Sequence, residues 1–310
     1  MIAVLAALVF VTNERAGSLT AIDSRTDKVV RTIPLGTRAR GMAVSPDGRL
    51  LYIAVSHFRD KPARGPDEIA VVDTRDLRIV RKLPSGTDPE GIAISPDGKK
   101  IYISNEDAGT ASIVDTASGR TLAALVVGTE PEGVAASHNG RWACVTGETS
   151  NTVSVIDARS NRVADNVFVD ARPRAAIFAR DDARAYVSSE IGGSINVLDG
   201  KTHRVVTKIK LRPADHPVGL VLSPDGLRLY TATGRGNSIA VIDTATHRVL
   251  QFVGVGQRPW GIGITADGKK IYSANGLSND VSVVDAATLR VITTIKAGDG
   301  PWGIAVVETK

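Results

Sequence analysis

Residues 91–115, GIAISPDGKKIYISNEDAGTASIVD, decide the fold. Gly91 opens an alternating apolar run, the chain turns at Ser95-Pro-Asp-Gly98, and a second run passes through Ile101-Tyr-Ile103. A further turn at Asn105–Gly109 leads into a third run that closes on Asp115. The alternation has period 2, and Pro96, Gly98 and Gly109 would break any helix laid across them. The stretch therefore reads as three antiparallel strands joined by tight turns.

The same unit recurs along the chain. Gly41, Gly91, Gly133, Ala175, Gly219, Gly261 and Gly303 open equivalent strands, and Asp23, Asp73, Asp115, Asp157, Asp199, Asp243 and Asp285 close the third strand of each. A period of about 42 residues with four strands per unit is the signature of a β-propeller. Seven openings predict seven blades in an all-β, WD40-like ring. No linker or low-complexity tract divides the 310 residues, so one domain over 1–310 is expected. Aromatic content is only 4%, which leaves Val, Ile, Leu and Ala to fill the space between blades. The single cysteine, Cys144, excludes an internal disulfide and reads as a small buried hydrophobe within a strand.

The first thirteen residues, MIAVLAALVFVTN, are mostly apolar but too short to span a bilayer and lack a basic leader. Residues 1–7 are either the remnant of an export signal or the ragged start of the first strand. The chain thus begins on the second strand of a blade and ends on a first strand, 303–307. Pairing of 303–307 with 8–13 would close the ring and remove its edges.

Phe10-Val-Thr-Asn13, the SPDG turns at Ser45, Ser95 and Ser223, and the VSVID-like third strands resemble the YVTN family of β-propeller repeats. The blade-specific stretches GETSNTVSVID (147–157), SSEIGGSINVLD (188–199), GLSNDVSVVD (276–285) and GPWGIAV (300–306) are more selective. They are similar to bacterial propeller proteins associated with pyrroloquinoline-quinone (PQQ)-dependent alcohol catabolism. That resemblance implies an exported, periplasmic protein accompanying a quinoprotein dehydrogenase, with no established reaction of its own. The tryptophan docking motif that quinone-binding propellers repeat in every blade is missing, so PQQ itself is not expected to be bound.

Loop lengths locate a working face. The connection from Val55 to Asp73 takes eighteen residues where its counterpart, Asn105 to Asp115, takes ten, the excess lying in SHFRDKPARGPDE. A second lengthening occurs at RPADHPVG, 212–219. Both fall in connections that share one face, and function is usually carried by loops on a rigid scaffold. The 57–67 loop, rich in Pro, Gly and charge, is expected to be mobile. The opposite, regular face carries Lys99, Lys100, Arg141, Arg228, Lys269 and Lys270. An Arg or Lys follows each closing Asp by five residues, which predicts an Asp that caps its turn and pairs with the local cation. With 38 basic and 33 acidic residues the charge is +5, spread evenly, which is no nucleic-acid stripe.

Two constellations stand out on the variable face. The first is an acidic arc, Asp88, Glu90, Glu106, Asp107, Glu130, Glu132 and Glu148. It reads as a solvated surface, a dock for a basic partner, or a hard-cation site for Ca²⁺, although no DxDxDG loop supports the cation. With His57, Phe58 and Glu190, residues Asp88, Glu106, Asp107, Glu130 and Glu148 are the candidates for contacting a partner protein. The second is the residue before each first strand: Arg40, Glu90, Glu132, Arg174, Val218, Trp260 and Trp302, with His216 beside them. An apolar wall facing a few polar groups is the chemistry of a small-molecule pocket. The same residues also read as a plug in which Arg and Glu neutralise one another and the indoles fill the channel.

Enzyme motifs are sparse: there is no GxSxG elbow, no GxGxxG after a strand, no P-loop and no histidine-rich zinc cluster. The expectation is a monomeric, non-catalytic binding or accessory propeller without a metal. Its ligand would be a small molecule, or a periplasmic protein such as a quinoprotein dehydrogenase. The alternative is a lactonase-like hydrolase, supported by fold analogy alone. It would need two of Glu132, Glu148, Glu190 and His216 to converge on one cavity.

Overall fold

The computed structural model describes residues 7–58 and 66–308. Residues 1–6, which hold most of the expected signal remnant, lie outside the described residues, as does the 59–65 part of the loop expected to be mobile.

The described residues form seven four-stranded antiparallel sheets arranged as a propeller. Strand β1 (Ala7–Asn13) sits between β28 (Pro301–Glu308) and β2 (Ser18–Asp23), with β3 (Lys28–Pro34) at the edge of this first blade. Leu8 pairs with Val307 and Phe10 with Ala305, so the last strand closes the ring on the first blade, as the sequence predicts. The second to seventh blades follow in chain order.

The core lies between blades rather than within one. Tyr52 and Ile69 of the second blade pack with Ile92, Ile101 and Ile103 of the third, and the same layering recurs round the ring. Second and third strands are buried on both faces, whereas fourth strands are largely exposed. Cys144 is buried, and burial pushes its thiol up to about 12.

On the regular face each closing Asp caps its turn: Asp73 accepts from the N–H groups of Arg75 and Asp76, and Asp157 from those of Arg159 and Ser160. The cation five residues on does not pair with it. Arg78 reaches Asp76 instead, and Lys28, Arg120, Arg162, Arg204, Arg248 and Arg290 form no ion pair among the described residues. Antiparallel pairing sets these cations across the ladder from the Asp, while the carboxylate is already held by backbone N–H groups. The pairing role passes to the first residue of the second strand. Lys100 donates to Ala158 O, Arg228 to Ala286 O and Lys270 to Ser24 O, each reaching the following blade.

Candidate functional site

The recurrent glycines wall the channel for a steric reason. A Cβ on Gly41, Gly91, Gly133, Gly219 or Gly261 would sit 2.2–2.4 Å from the carbonyl oxygen of the residue before the next blade's equivalent position. Inner strands therefore approach closely, and the first strands bulge at this point, between Pro89 and Ile92 or Pro131 and Val134. The bulge turns the side chain before each glycine toward the mouth.

A hydroxyl fixes four of these positions. Ser104 Oγ accepts from its own blade's Gly91 N–H and donates to Glu132 O of the next blade. Thr12 links Gly303 to Arg40 O, Thr146 links Gly133 to Arg174 O, and Ser188 links Ala175 to Val218 O in the same manner. The second, sixth and seventh blades lack such a clasp.

Above the channel the charged residues form a collar. Arg38 contacts Glu14 (2.9 Å), Asp88 (2.5 Å) and Glu90 (2.9 Å), while Arg40 contacts Glu14 (3.0 Å), Glu90 and Glu132 (3.7 Å). Arg174 Nη1 joins Glu132 and Glu148 (2.6 Å), and its Nε meets Glu190 at 2.7 Å. Arg172 binds Glu148 at 2.5 Å, and Arg258 binds Glu190 at 2.8 Å. Glu90 is fully buried, yet neither of its oxygens accepts a well-angled hydrogen bond. Among the described residues the collar holds seven carboxylates (Glu14, Asp88, Glu90, Glu106, Glu132, Glu148, Glu190) against the five guanidiniums of Arg38, Arg40, Arg172, Arg174 and Arg258.

Burial drives these acids apart. It is the largest influence on Glu132 and Glu190 and opposes their ionisation, but Arg174 together with Arg40 and Arg38 at Glu132, and with Arg258 and Arg172 at Glu190, outweighs it and holds both below the usual carboxylate range. Glu148 goes the other way, raised to about 7 by burial and by the Glu132 charge despite Arg174. Burial and the Glu132 charge raise Glu106 as well.

The tryptophans complete the ring, and they are not simply opposite the charges. Arg40 lies over the Trp302 ring at 5.0 Å, and Arg174 and Arg258 lie over Trp260 at 5.5 and 4.3 Å. Both indoles are half-buried, and Trp302 Nε1 is sealed without a partner. Under them is a cavity of about 210 Å³, walled by Met42, Ile92, Val134, Leu220, Ile262 and Ile304 and opening past Glu132, Arg174, Trp260 and Trp302. A polar funnel of about 310 Å³ sits above, sharing Glu132 and Arg174 with it.

The structure thus brings Arg40, Glu90, Glu132, Arg174, Trp260 and Trp302 together. His216 stands near Arg258, its Nδ1 buried without a partner. Asp88, Glu148 and Glu190, read as partner contacts, point into the collar and are buried. Glu106 borders both the collar funnel and an outer groove, and Asp107 and Glu130 border that groove. His57 bonds Asp67 at 2.7 Å, closing the base of the inserted loop, and Phe58 borders a cleft with Glu14, Arg38 and Asp88. Asp88, Glu90 and Glu106 converge as a hard cation would require, but Arg38 Nη1 already stands beside Asp88 and Glu90.

Sequence reasoning missed Glu14, Arg38, Arg172 and Arg258. A signal existed for each. Glu14 follows Asn13 as Glu106 follows Asn105, and the three arginines occupy the position of Asp88 and Glu130 in other blades.

Comparison with known proteins places this geometry among relatives. Residues 62–174 and 182–302 match the Cytochrome D1 heme domain family. A 62-residue segment is 36% identical to the uncharacterized protein YncE of Salmonella typhi; it covers 19% of this chain and only 18% of that relative's length. Among solved structures, a protein of unknown function from Desulfotomaculum acetoxidans DSM 771 superposes with a TM-score of 0.84 at 14% identity, over 98% of this chain and 99% of its own. The dihydro-heme d1 dehydrogenase NirN, in complex with DHE, gives 0.71 at 17% identity over 96% of this chain and 74% of its own. At such identities these structures share the fold.

Proposed function

The chain belongs to the cytochrome D1 heme domain family, and we propose that within it this protein is a non-catalytic binding propeller. Its ligand is a small molecule without negative charge, taken into the cavity beneath Trp260 and Trp302. The observation that carries this reading is an apolar cavity of about 210 Å³ under a collar whose arginines are all spoken for.

A tetrapyrrole is the group the family name implies, and the residues at the mouth do not fit one. The cavity is smaller than the roughly 300–1,000 Å³ typical of drug-sized ligands. Ring carboxylates would need free cations, whereas each guanidinium of the collar already holds one to three carboxylates. Iron would need an axial side chain, and among the described residues no histidine, cysteine or tyrosine lines the cavity, which offers only the thioether of Met42. A neutral or cationic molecule meets none of these obstacles, and the acid excess and indole faces favour it.

The quinoprotein connection belongs to the same proposal. The four stretches that resemble PQQ-associated propellers all deliver residues to the mouth: Glu148, Glu190, Gly276, whose carbonyl accepts from Arg15, and Trp302. We read the protein as a periplasmic accessory to alcohol oxidation, sensing or carrying an alcohol or its product. Among the described residues no helix is long and apolar enough to cross a membrane.

One observation favours a hydrolase as second reading. Glu148, raised to about 7, and Glu132, held ionised, share Arg174 Nη1 at one funnel, and acids pushed apart in this way serve as proton donor and acceptor. Among the described residues that line it, the funnel's arginines are all paired to carboxylates, so none of them is held ready for an oxyanion.

The test is tryptophan fluorescence in a Trp142→Phe background, which leaves Trp260 and Trp302 as reporters. Short alcohols, their aldehydes, alkylammonium ions, a γ-lactone and hemin are titrated in turn. Saturable quenching by an alcohol, aldehyde or ammonium ion, lost in Trp302→Ala, is expected. Saturable one-to-one hemin binding with a Soret shift abolished by His216→Ala would overturn the reading. Lactone turnover abolished by Glu148→Gln would replace it with the hydrolase.

A further inference from the structure

Arg172 differs from the other arginines of the collar in how it is held. Its backbone is pinned on both sides: the N–H donates to Asn151 Oδ1 at 2.8 Å, and the C=O accepts from the N–H of Glu190 at 2.8 Å. Its side chain is less constrained. The guanidinium is 43% exposed, against 13% for Arg38 and 10% for Arg174, and it rests on one close partner, Glu148, at 2.5 Å. Among the described residues the one other carboxylate it meets is Glu190, 3.3 Å from an Nε that makes no well-angled hydrogen bond. Arg172 is therefore held only as long as Glu148 stays charged.

Glu148 sits where that charge is easily lost. Its oxygens face Arg172 and Arg174, but Arg174 Nη1 is shared with Glu132, and the two carboxyl groups are hydrogen-bonded to each other. Ionised carboxylates only accept, so a hydrogen bond between two of them requires a proton on one. Burial is outweighed at Glu132 by Arg174, Arg40 and Arg38, which keep it ionised, so the proton belongs to Glu148. Burial and the Glu132 charge raise that group to about 7. Across the funnel stand Arg38, Arg40 and Glu106, and beside it stands Glu130, which accepts from Thr149 Oγ1. None of these four contacts Arg172 among the described residues, and Glu190 already holds Arg174 at 2.7 Å and Arg258 at 2.8 Å.

We infer that the mouth is a proton-dependent anion site: a proton taken up by Glu148 frees the guanidinium of Arg172, which then receives a small carboxylate at the funnel. This rests on the reading of the mouth as a binding site and adds a condition to it. With Glu148 ionised, the guanidiniums of the collar are paired and anions are refused. With Glu148 neutral, one exposed guanidinium stands ready, and the apolar cavity under Trp260 can take the rest of the molecule. A neutral molecule enters at any pH, its carboxylate analogue only at the acid end.

The probes are 1-propanol and propane-1-sulfonate, which keeps its charge throughout, titrated into the full chain between pH 5.5 and 8.5. Binding is read by tryptophan fluorescence in the Trp142→Phe background. Sulfonate affinity should be level at acid pH and fall about ten-fold for each unit above about 7, while that of 1-propanol stays constant. Glu148→Gln removes the charge for good. That variant should bind the sulfonate at pH 8.5 as tightly as the parent does at pH 5.5, a gain of about thirty-fold over the parent at pH 8.5. Arg172→Gln should lose the sulfonate at every pH. Where a variant fails to fold, the pH profile of the parent decides alone. A sulfonate affinity that ignores pH, or no sulfonate binding at pH 5.5 while 1-propanol binds, overturns the inference and leaves the binding reading in place. Sulfonate binding retained in Arg172→Gln overturns it too. Silence of both probes at every pH would sink the two together.

Discussion

The two faces of the propeller are built from the same repeat and use it in opposite ways. On the regular face, Asp73, Asp115, Asp157 and their counterparts each accept from backbone N–H groups of their own turn, so the side chains serve the fold. On the mouth face the equivalent position varies round the ring, from Arg40 through Glu132 and Val218 to Trp302, and these side chains serve one another. Where repeats agree the residue maintains the ring, and where they diverge the ring has been turned to a task.

Removing the seam strikes both faces together and should give the largest effect. Deleting residues 303–310 takes away most of the strand that pairs with β1, exposing Phe10 and leaving Leu8 and Val9 without their ladder partners Val307 and Val306. Lost burial and backbone bonds put the cost at several kcal/mol, about 5 or more, visible as a large fall in the denaturant midpoint. An unchanged midpoint would mean the closure contributes nothing to stability.

The collar comes next. Arg174→Met leaves Glu132, Glu148 and Glu190 buried without their shared cation, which should cost about 3–5 kcal/mol near pH 8. Glu132 and Glu190 are held below their unfolded range, so the stability they supply exists above that range and fades as pH falls through it. The penalty of the variant should therefore shrink at acid pH. A pH-independent penalty would show that packing, not charge, is lost.

Trp302→Ala separates pocket from plug. A half-buried indole should cost roughly 2 kcal/mol, less than the 3–5 kcal/mol of a fully buried ring, while ligand quenching disappears. A larger loss without any ligand response in the parent would make the indoles a plug.

Glu148 gives a smaller, oppositely signed signal. Raised to about 7 from a lower unfolded value, it stabilises the folded chain most at low pH, and that contribution is lost as pH rises through about 7. Glu148→Gln should remove this fall, changing the difference in stability between pH 5 and pH 8 by about 1–2 kcal/mol relative to the parent. On the regular face Asp73→Ala should cost only about 0.5–1 kcal/mol and leave ligand binding intact.

Much of this was legible in the sequence because a propeller writes its register seven times. Glycine spacing placed the channel wall, closing aspartates placed the turns, and the misfit of the two ends revealed the seam. Within the site, Arg40, Glu132, Arg174, Trp260 and Trp302 could be placed by repeat position alone. Pairing could not, because it depends on where a long side chain swings. Arg174 reaches Glu132 in the preceding blade and Glu190 in its own, and Lys100 bonds a carbonyl of the next blade rather than a nearby acid. The pKa of Glu148 near 7 was equally hidden, since it arises from burial and from Glu132, which lies 16 residues earlier in the chain.

The hydroxyl clasps have a mechanical consequence. They bind the openings of the second, fourth, fifth and sixth blades to their neighbours, which carry Arg40, Glu132, Arg174 and Val218. The tryptophan openings are tied by other means: Gly303, beside Trp302, donates its N–H to Thr12 Oγ1, and Trp260 O accepts from Gly219 N–H of the sixth blade at 3.0 Å. The backbone rim of the mouth is thus braced from blade to blade on the charged side and the indole side alike. Entry to the channel is then governed by the swing of side chains, a gate whose frame stays still.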